Sequence, residues 1–253
     1  MRRSSGITQF FLNGTLFECT NNNMTPNEPY VRFTIGNMFA AQSDVLYVES
    51  LDGQVDELSV WNVVRTQEEI RDNMHRNLAG DESGLVAYYR FDEDSGTILP
   101  DESGNGHNGT LVNMTDDDWV TSYAVIGDET GQNQNDVRGY WNASTDSSWN
   151  NSSGLWMSGA SFSSESDFTV FGHDGNTGTT SSDLPVGVKN RLDRVWYLDV
   201  NGSVAPDLGF NLEWSAGTGL GQLNPALYVL LNRPGAAGTF TEQTVAASRT
   251  GGS

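Results

Sequence analysis

Basic residues are scarce in this sequence: 13 lysines and arginines stand against 33 aspartates and glutamates, giving a formal net charge of −20 at pH 7. A surface of that sign repels phosphate backbones and anionic lipid headgroups. Long apolar runs are also missing, since no stretch approaches the roughly 18 consecutive apolar residues that indicate a membrane helix. Neither nucleic acid binding nor membrane insertion is therefore expected.

Cysteine occurs only once, at Cys19, so the chain cannot form an internal disulfide. Nothing near Cys19 indicates a nucleophile or a metal site, and we expect a small apolar side chain on a strand. The basic start Met1-Arg2-Arg3 is followed by the polar stretch 4–9 instead of the apolar segment of a secretory signal. The sequence is thus expected to carry no export signal of its own.

Catalytic signatures are absent as well. No Glu-x-Asp-x-x-Glu pattern occurs, and Asp56 and Glu57 are adjacent on a predicted strand, where they would point to opposite faces and could not work as paired acids. His75, His107 and His173 lack a second His or Cys at zinc spacing. For His173, a functional role and a turn histidine held by the backbone both stay open, the latter being simpler. We expect no enzyme.

Glycine, serine and asparagine are abundant, and aromatic residues supply the core, which is the composition of strands joined by many turns. The pattern predicts a hairpin over 7–19 around Asn13-Gly14, a half-buried strand over 54–61 and a buried strand over 84–91. Further strands are predicted at 30–36 and 45–48. The expected class is all-β.

One short amphipathic helix interrupts this pattern. Thr66 and Glu69 form a capping box, so the helix is predicted to begin at Gln67. The apolar stripe of the helix would be Ile70, Met74 and Leu78, with Gly80 as its C-terminal cap.

The polar segment 127–136 is predicted to link two domains, 1–126 and 137–253. Beyond it, strands are predicted at 168–171, 194–200, 208–214 and 226–231. They predict a second antiparallel β-sandwich. The chain stops soon after a strand-like stretch at 240–246, so this sandwich is expected to be incomplete.

Two kinds of binding site are suggested by residue type. Calcium favours carboxylate and amide oxygens clustered in loops, and the candidate ligands are Asp92, Asp94, Asp101 and Asn105. The alternative is that these side chains cap their own turns. Aromatic rings that stack on sugars are the second kind, and the candidates are Trp141, Trp149 and Trp156. The alternative for these three is burial in the core of the second sandwich.

Residues 6–80 resemble the closing half of a laminin-G-like, concanavalin A-like jelly roll of bacterial surface proteins. The residues that carry this resemblance are the hairpin turn Leu12-Asn13-Gly14, the stretches 33–36 and 51–62, and the helix start at 65–70. Residues 84–91 and the turn 101–111, with its Asp-Glu-Ser-Gly-Asn-Gly sequence, resemble segments that accompany such domains. The resemblance implies a partial jelly roll, truncated at its N-terminus, because strands that precede the hairpin in the family are missing.

Residues 136–250 are similar to β-rich modules of surface proteins exported by the type IX route. Together the resemblances imply an extracellular or cell-surface location and a non-catalytic interaction module for adhesion or carbohydrate binding. Glycans or other surface proteins would be its partners. An architectural spacer and an accessory domain of a polysaccharide-degrading enzyme are the alternatives.

Overall fold

The computed structural model describes residues 1–4, 7–21, 33–36, 51–127, 135–142, 154–210 and 229–243. The chain divides into two compact units, Met1–Ala124 and Val125–Ser253. Within the described residues, every strand pairing is antiparallel and there is one short α-helix. The expected all-β class with one short helix is therefore confirmed, while the jelly-roll topology stays a prediction.

Seven short strands lie in the described part of the first unit. They are β1 (Arg2–Ser4), β2 (Ile7–Leu12), β3 (Thr15–Asn21), β4 (Leu58–Trp61), β5 (Leu85–Tyr89), β6 (Ile98–Leu99) and β7 (Gly109–Thr110). Strands β1, β2 and β3 form one sheet, while β4 pairs with β5 and β6 pairs with β7. Strand β1 was not predicted, because its three polar residues carry no apolar alternation.

The predicted hairpin is present as β2 and β3. Asn13 and Gly14 have φ values of 48° and 68°, the two positive values that a type I′ turn needs. Of the strands predicted at 30–36 and 45–48, only 33–36 lies among the described residues, and it contains a bend in place of a strand.

The helix α1 runs from Gln67 to Asn73. Both bonds of the predicted capping box are present: the Glu69 N–H donates to Thr66 Oγ1 at 3.1 Å, and the Thr66 N–H donates to Glu69 Oε2 at 2.7 Å. None of the described residues forms a helix long and apolar enough to cross a membrane.

The predicted end of this helix at Gly80 is wrong, since the last helical residue is Asn73. The backbone donors further on find partners outside a helix. The Leu78 N–H donates to the Tyr88 hydroxyl at 3.2 Å, and the Gly80 N–H donates to the Glu82 carboxylate at 3.0 Å. These side chains satisfy the backbone without a helix, and the last helical residue lies seven positions before the predicted glycine cap.

The turn of the β2–β3 hairpin is held on this helix. The Gly14 carbonyl accepts hydrogen bonds from Gln67 Nε2 and Arg71 Nε, both at 2.9 Å. A Cβ at Gly14 would lie 2.5 Å from Arg71 Cγ, so the position needs glycine for space as well as for its positive φ.

The core of the first unit sits against β5. Ala87, Tyr89 and Leu99 form a buried cluster, and four partly buried apolar side chains pack on it: Leu58, Val60, Phe91 and Trp119. Strand β5 thus confirms the prediction of a buried strand within 84–91.

Nine strands lie in the described part of the second unit. They are β8 (Asn135–Trp141), β9 (Leu155–Ser158), β10 (Phe168–His173), β11 (Thr179–Thr180), β12 (Arg191–Leu192), β13 (Trp196–Asn201), β14 (Asp207–Phe210), β15 (Leu230–Asn232) and β16 (Thr241–Gln243). Strand β10 lies between β13 and β8 in a three-stranded sheet. Strand β8 begins inside the segment predicted as a linker, so the last two linker positions are strand.

Strand β10 is buried on both faces. On one face, Phe168 and Val170 pack with Val137 of β8. On the other face, Phe171 packs with Leu155 and Met157 of β9. The strand pair β9–β14 therefore covers one face of the three-stranded sheet, in a sandwich-like arrangement.

Candidate functional site on the outer face of strands β9 and β14

The strand pair β9–β14 has one face toward the core and one away from it. Leu155 and Met157 are completely buried in the core cluster. Because side chains alternate along a strand, Trp156 and Ser158 lie on the opposite, outer face. Their direct cross-strand partners on β14 are Gly209 and Asp207, respectively.

Trp156 lies over its partner Gly209 on this outer face. A Cβ built on Gly209 would overlap the indole atoms Cε2 and Cζ2, so the ring passes directly across the glycine. No larger residue fits at position 209 while the ring keeps this place. Trp156 is only partly buried, so part of the indole surface remains accessible.

Two polar side chains lie on the same face, two register positions along the strand pair. Ser158 and Asp207 are direct cross-strand partners, and Asp207 is exposed. Neither side chain makes a hydrogen bond or ion pair with any part of the chain that the structure describes. The outer face therefore combines the partly buried aromatic ring of Trp156 with a hydroxyl group and a carboxylate that are not engaged within the described residues.

The position of Asp207 is further limited by the adjacent turn. Gly159 has a φ of 73°, and a Cβ there would lie 2.7 Å from Asp207 Oδ2. The carboxylate is thus packed against the glycine backbone just after β9. We call the set Trp156, Ser158, Asp207 and Gly209 the outer-face site.

The other two predicted tryptophans differ from Trp156. Trp141 is paired with Phe168 and packs against the buried cluster of Val137, Phe168 and Val170. Trp141 therefore fits the alternative in which the ring packs in the core of the second sandwich. Trp149 lies outside the described residues. The tryptophan spacing predicted a set of three, but the structure places Trp141 and Trp156 in different surroundings.

Sequence reasoning did not find Ser158, Asp207 and Gly209. Strand β9 carries the alternation Leu-Trp-Met-Ser, in which both core residues and the first outer residue are apolar. The period-2 signal is therefore weak. Strand β14 lies far away in sequence, and only the strand register brings Asp207 and Gly209 to β9.

Asp101, a predicted calcium ligand, is buried and organises a turn. Its carboxylate accepts the backbone N–H groups of Tyr88, Ser103 and His107 at 2.9–3.0 Å, together with the Ser103 hydroxyl at 2.6 Å. Burial by itself would raise the pKa of Asp101, but these donors outweigh it and lower the pKa to about 2. Asp101 therefore fits the alternative in which the side chain caps its own turn.

Two of the other three predicted calcium ligands, Asn105 and Asp92, have partners within the chain. The Asn105 amide donates to the Val86 carbonyl at 3.1 Å, and Asp92 forms an ion pair with Arg90 at 3.0 Å. Asp94 is exposed, with a φ of 58°. Across the described ranges, no three His, Cys, Asp or Glu side chains converge as a metal site. The geometry lends the calcium hypothesis no support.

A second group of carboxyls, Asp56 and Glu57, lies just before β4, because the predicted strand 54–61 forms only over Leu58–Trp61. Glu57 has a φ of 49°, so strand alternation does not separate it from Asp56. The two carboxylates are instead separated by their partners, since Asp56 accepts a hydrogen bond from the Ser122 hydroxyl and Glu57 accepts one from the Tyr88 hydroxyl. Burial raises the pKa of Glu57, and the Tyr88 hydrogen bond opposes that rise.

His173 is buried at the end of β10. The Gly175 N–H donates to His173 Nδ1 at 2.9 Å, so the ring proton belongs on Nε2, which lies 2.9 Å from Asp136 Oδ2. The imidazole therefore joins the ends of β8 and β10 through one backbone and one side-chain partner. The expected backbone contact of His173 is present, whereas its contact with the Asp136 side chain was not predicted.

No protein-family model, no curated protein and no solved structure matches this chain. The laminin-G-like resemblance of the first unit, and the resemblance of the second unit to type IX modules, therefore stay predictions.

Proposed function

We propose that this chain is a non-catalytic extracellular interaction module that binds carbohydrate at the outer-face site. The observation that carries the proposal is the partly exposed indole of Trp156, lying over Gly209 beside the unpaired Ser158 and Asp207.

A sugar ring presents an apolar face of C–H groups and an edge of hydroxyl groups. An indole offers a matching apolar surface, while a hydroxyl and a carboxylate offer hydrogen bonds at its border. Small-molecule sites generally combine apolar surface with a few placed polar groups in this way. The outer-face site has both components within two register steps of one strand pair.

The fixed position of the ring supports binding as well. Trp156 sits on a strand and rests on Gly209, so little side-chain freedom is left to lose when a ligand binds. Ser158 and Asp207 are set by the same ladder. Preorganisation of this kind favours recognition of a rigid ring by a small surface.

The test uses the full chain on a glycan array, followed by titration calorimetry with each glycan that binds. Trp156→Ala is expected to weaken binding about tenfold or more, because truncating an aromatic anchor costs more than about 1.4 kcal/mol. Phe17→Ala is the matched control, since Phe17 is an aromatic residue 72% exposed on the hairpin of the first unit.

Circular dichroism of both variants shows whether they are folded. Ser158→Ala gives a second measurement, at a position where no hydrogen bond to a described residue is lost. A folded wild-type chain that binds no glycan contradicts the proposal, and so does a Trp156→Ala variant that binds as tightly as wild type.

A further inference from the structure

We propose that the outer-face site selects uncharged glycans and rejects glycans that carry carboxylate or sulfate groups. This inference rests on the proposed function and names the ligand class of the same site. Its basis is the position of Asp207, an exposed carboxylate on the face that bears Trp156.

Asp207 is the diagonal cross-strand neighbour of Trp156, because Asp207 pairs with Ser158 and Trp156 pairs with Gly209. Diagonal neighbours on one face lie about 7–8 Å apart. A sugar stacked on the indole therefore brings its edge toward Asp207. The packing of Asp207 Oδ2 near Gly159 keeps the carboxylate at that border.

An ionised carboxylate accepts hydrogen bonds and cannot donate them. The group that meets Asp207 must therefore be a donor, and sugar hydroxyls are donors that a carboxylate binds strongly. The carboxylate of a uronic acid and the sulfate group of a sulfated sugar offer only acceptors, and they carry the same charge as Asp207. Ser158 can donate or accept, so it does not discriminate between the two ligand classes.

The charge of the surrounding chain acts in the same direction. The net charge is −20, and two of the arginines described in this unit are already engaged. Arg191 and Arg233 both lie over the Phe240 ring and within 4 Å of Asp183. The overall field therefore raises the cost of bringing an anionic chain to the outer face.

The test compares neutral glycans with their sulfated or uronate counterparts on one array, using the full chain at low and at high salt. Each anionic counterpart is expected to bind at least about tenfold more weakly, since like charges in contact cost more than the 1.4 kcal/mol that equals a factor of ten. Asp207→Asn should reduce this difference in affinity between neutral and anionic glycans, because asparagine keeps the shape of the side chain and removes its charge. Added salt should also reduce the difference in affinity for the wild-type chain, because it screens the repulsion between the charges.

Ser158→Ala is the matched control, which should weaken both ligand classes by a similar factor. Equal or tighter binding of the anionic counterparts overturns the inference, as does a difference in affinity that Asp207→Asn leaves unchanged. Those results leave the proposed function intact if binding still depends on Trp156. Failure of the proposed function is a different result, in which no glycan binds or Trp156→Ala has no effect.

Discussion

The indole of Trp156 lies across Gly209, its direct partner on the neighbouring strand. A glycine inside a strand leaves a gap in the sheet surface, and an aromatic ring from the opposite strand fills that gap. The same contact fixes the ring on the outer face, beside Ser158 and Asp207. One pair of residues thus serves both the stability of the ribbon and the proposed recognition of sugar.

Gly209→Ala is expected to destabilise the second unit by about 1–3 kcal/mol, because the added methyl group overlaps the indole and forces it to move. Urea unfolding followed by tryptophan fluorescence measures both effects, and the native emission should shift as the ring moves. Gly53→Ala is the control, since a Cβ there would meet only Leu51, at an ordinary 3.8 Å. Unchanged stability and emission in Gly209→Ala would contradict the described contact.

Asp101→Asn is expected to lower the free energy of unfolding by about 2 kcal/mol at pH 7, the equivalent of its pKa shift. The pKa is lower in the folded chain than the ordinary 3.8, at about 2. This stabilisation is therefore complete above about pH 4 and is lost as the pH falls to about 2.

Urea unfolding at several pH values between 2 and 5 measures this loss. The wild-type chain should lose its extra stability over Asp101→Asn as the pH falls from about 4 to about 2. Asp94→Asn is the control, because Asp94 is exposed. A constant difference between wild type and Asp101→Asn down to pH 2 would show that the four donors do not hold the carboxylate.

Glu57→Gln is expected to show a pH dependence of the opposite sign. Burial raises the pKa of Glu57, so the folded chain binds this proton more tightly than the unfolded chain does. Its contribution is present at low pH and is lost as the pH rises through the folded pKa. Wild type should therefore be more stable relative to Glu57→Gln at pH 4 than at pH 7.

Chemical unfolding of both proteins at the two pH values measures this difference. Glu18→Gln, at an exposed position on β3, is the control. The interpretation fails if the difference between wild type and Glu57→Gln grows with pH.

Thr66→Ala is expected to cost about 1 kcal/mol, because the N-terminal N–H of Glu69 loses its acceptor. The effect should spread to the β2–β3 turn, since Gln67 and Arg71 of the helix donate to the Gly14 carbonyl. Hydrogen exchange of the hairpin amides, together with thermal unfolding, measures both parts. Thr66→Ser keeps the oxygen and should retain most of the stability; a hairpin unaffected by Thr66→Ala would show that the two elements are independent.

Features built from near neighbours in the chain were predictable. Asn13-Gly14 requires two positive φ values in succession, and the capping box joins two residues three positions apart. Such signals depend on backbone sterics and local hydrogen bonds, which the sequence specifies directly. The all-β class follows from the same turn chemistry, repeated along the chain.

Features that depend on distant partners were not predictable. The helix ends at Asn73 because Tyr88 and Glu82 supply partners to residues 78–80, and local periodicity contains no sign of them. Asp101 looked like a free loop carboxylate, yet it is saturated by donors from its own turn and from β5.

The sequence by itself determined that tryptophans recur among polar residues in the second half, and that the chain is acidic and rich in strands. Only the tertiary structure decided which tryptophan faces outward. Trp141 packs against the buried cluster that contains Val137 and Phe168, whereas Trp156 lies on the face of β9 opposite to Leu155 and Met157. The physical reason is the pairing of the strands. Side chains alternate between the two faces of a strand, so the face of Trp156 is set once Leu155 and Met157 are in the core. Which of the two faces enters the core is decided by pairing and packing with strands that are distant in sequence.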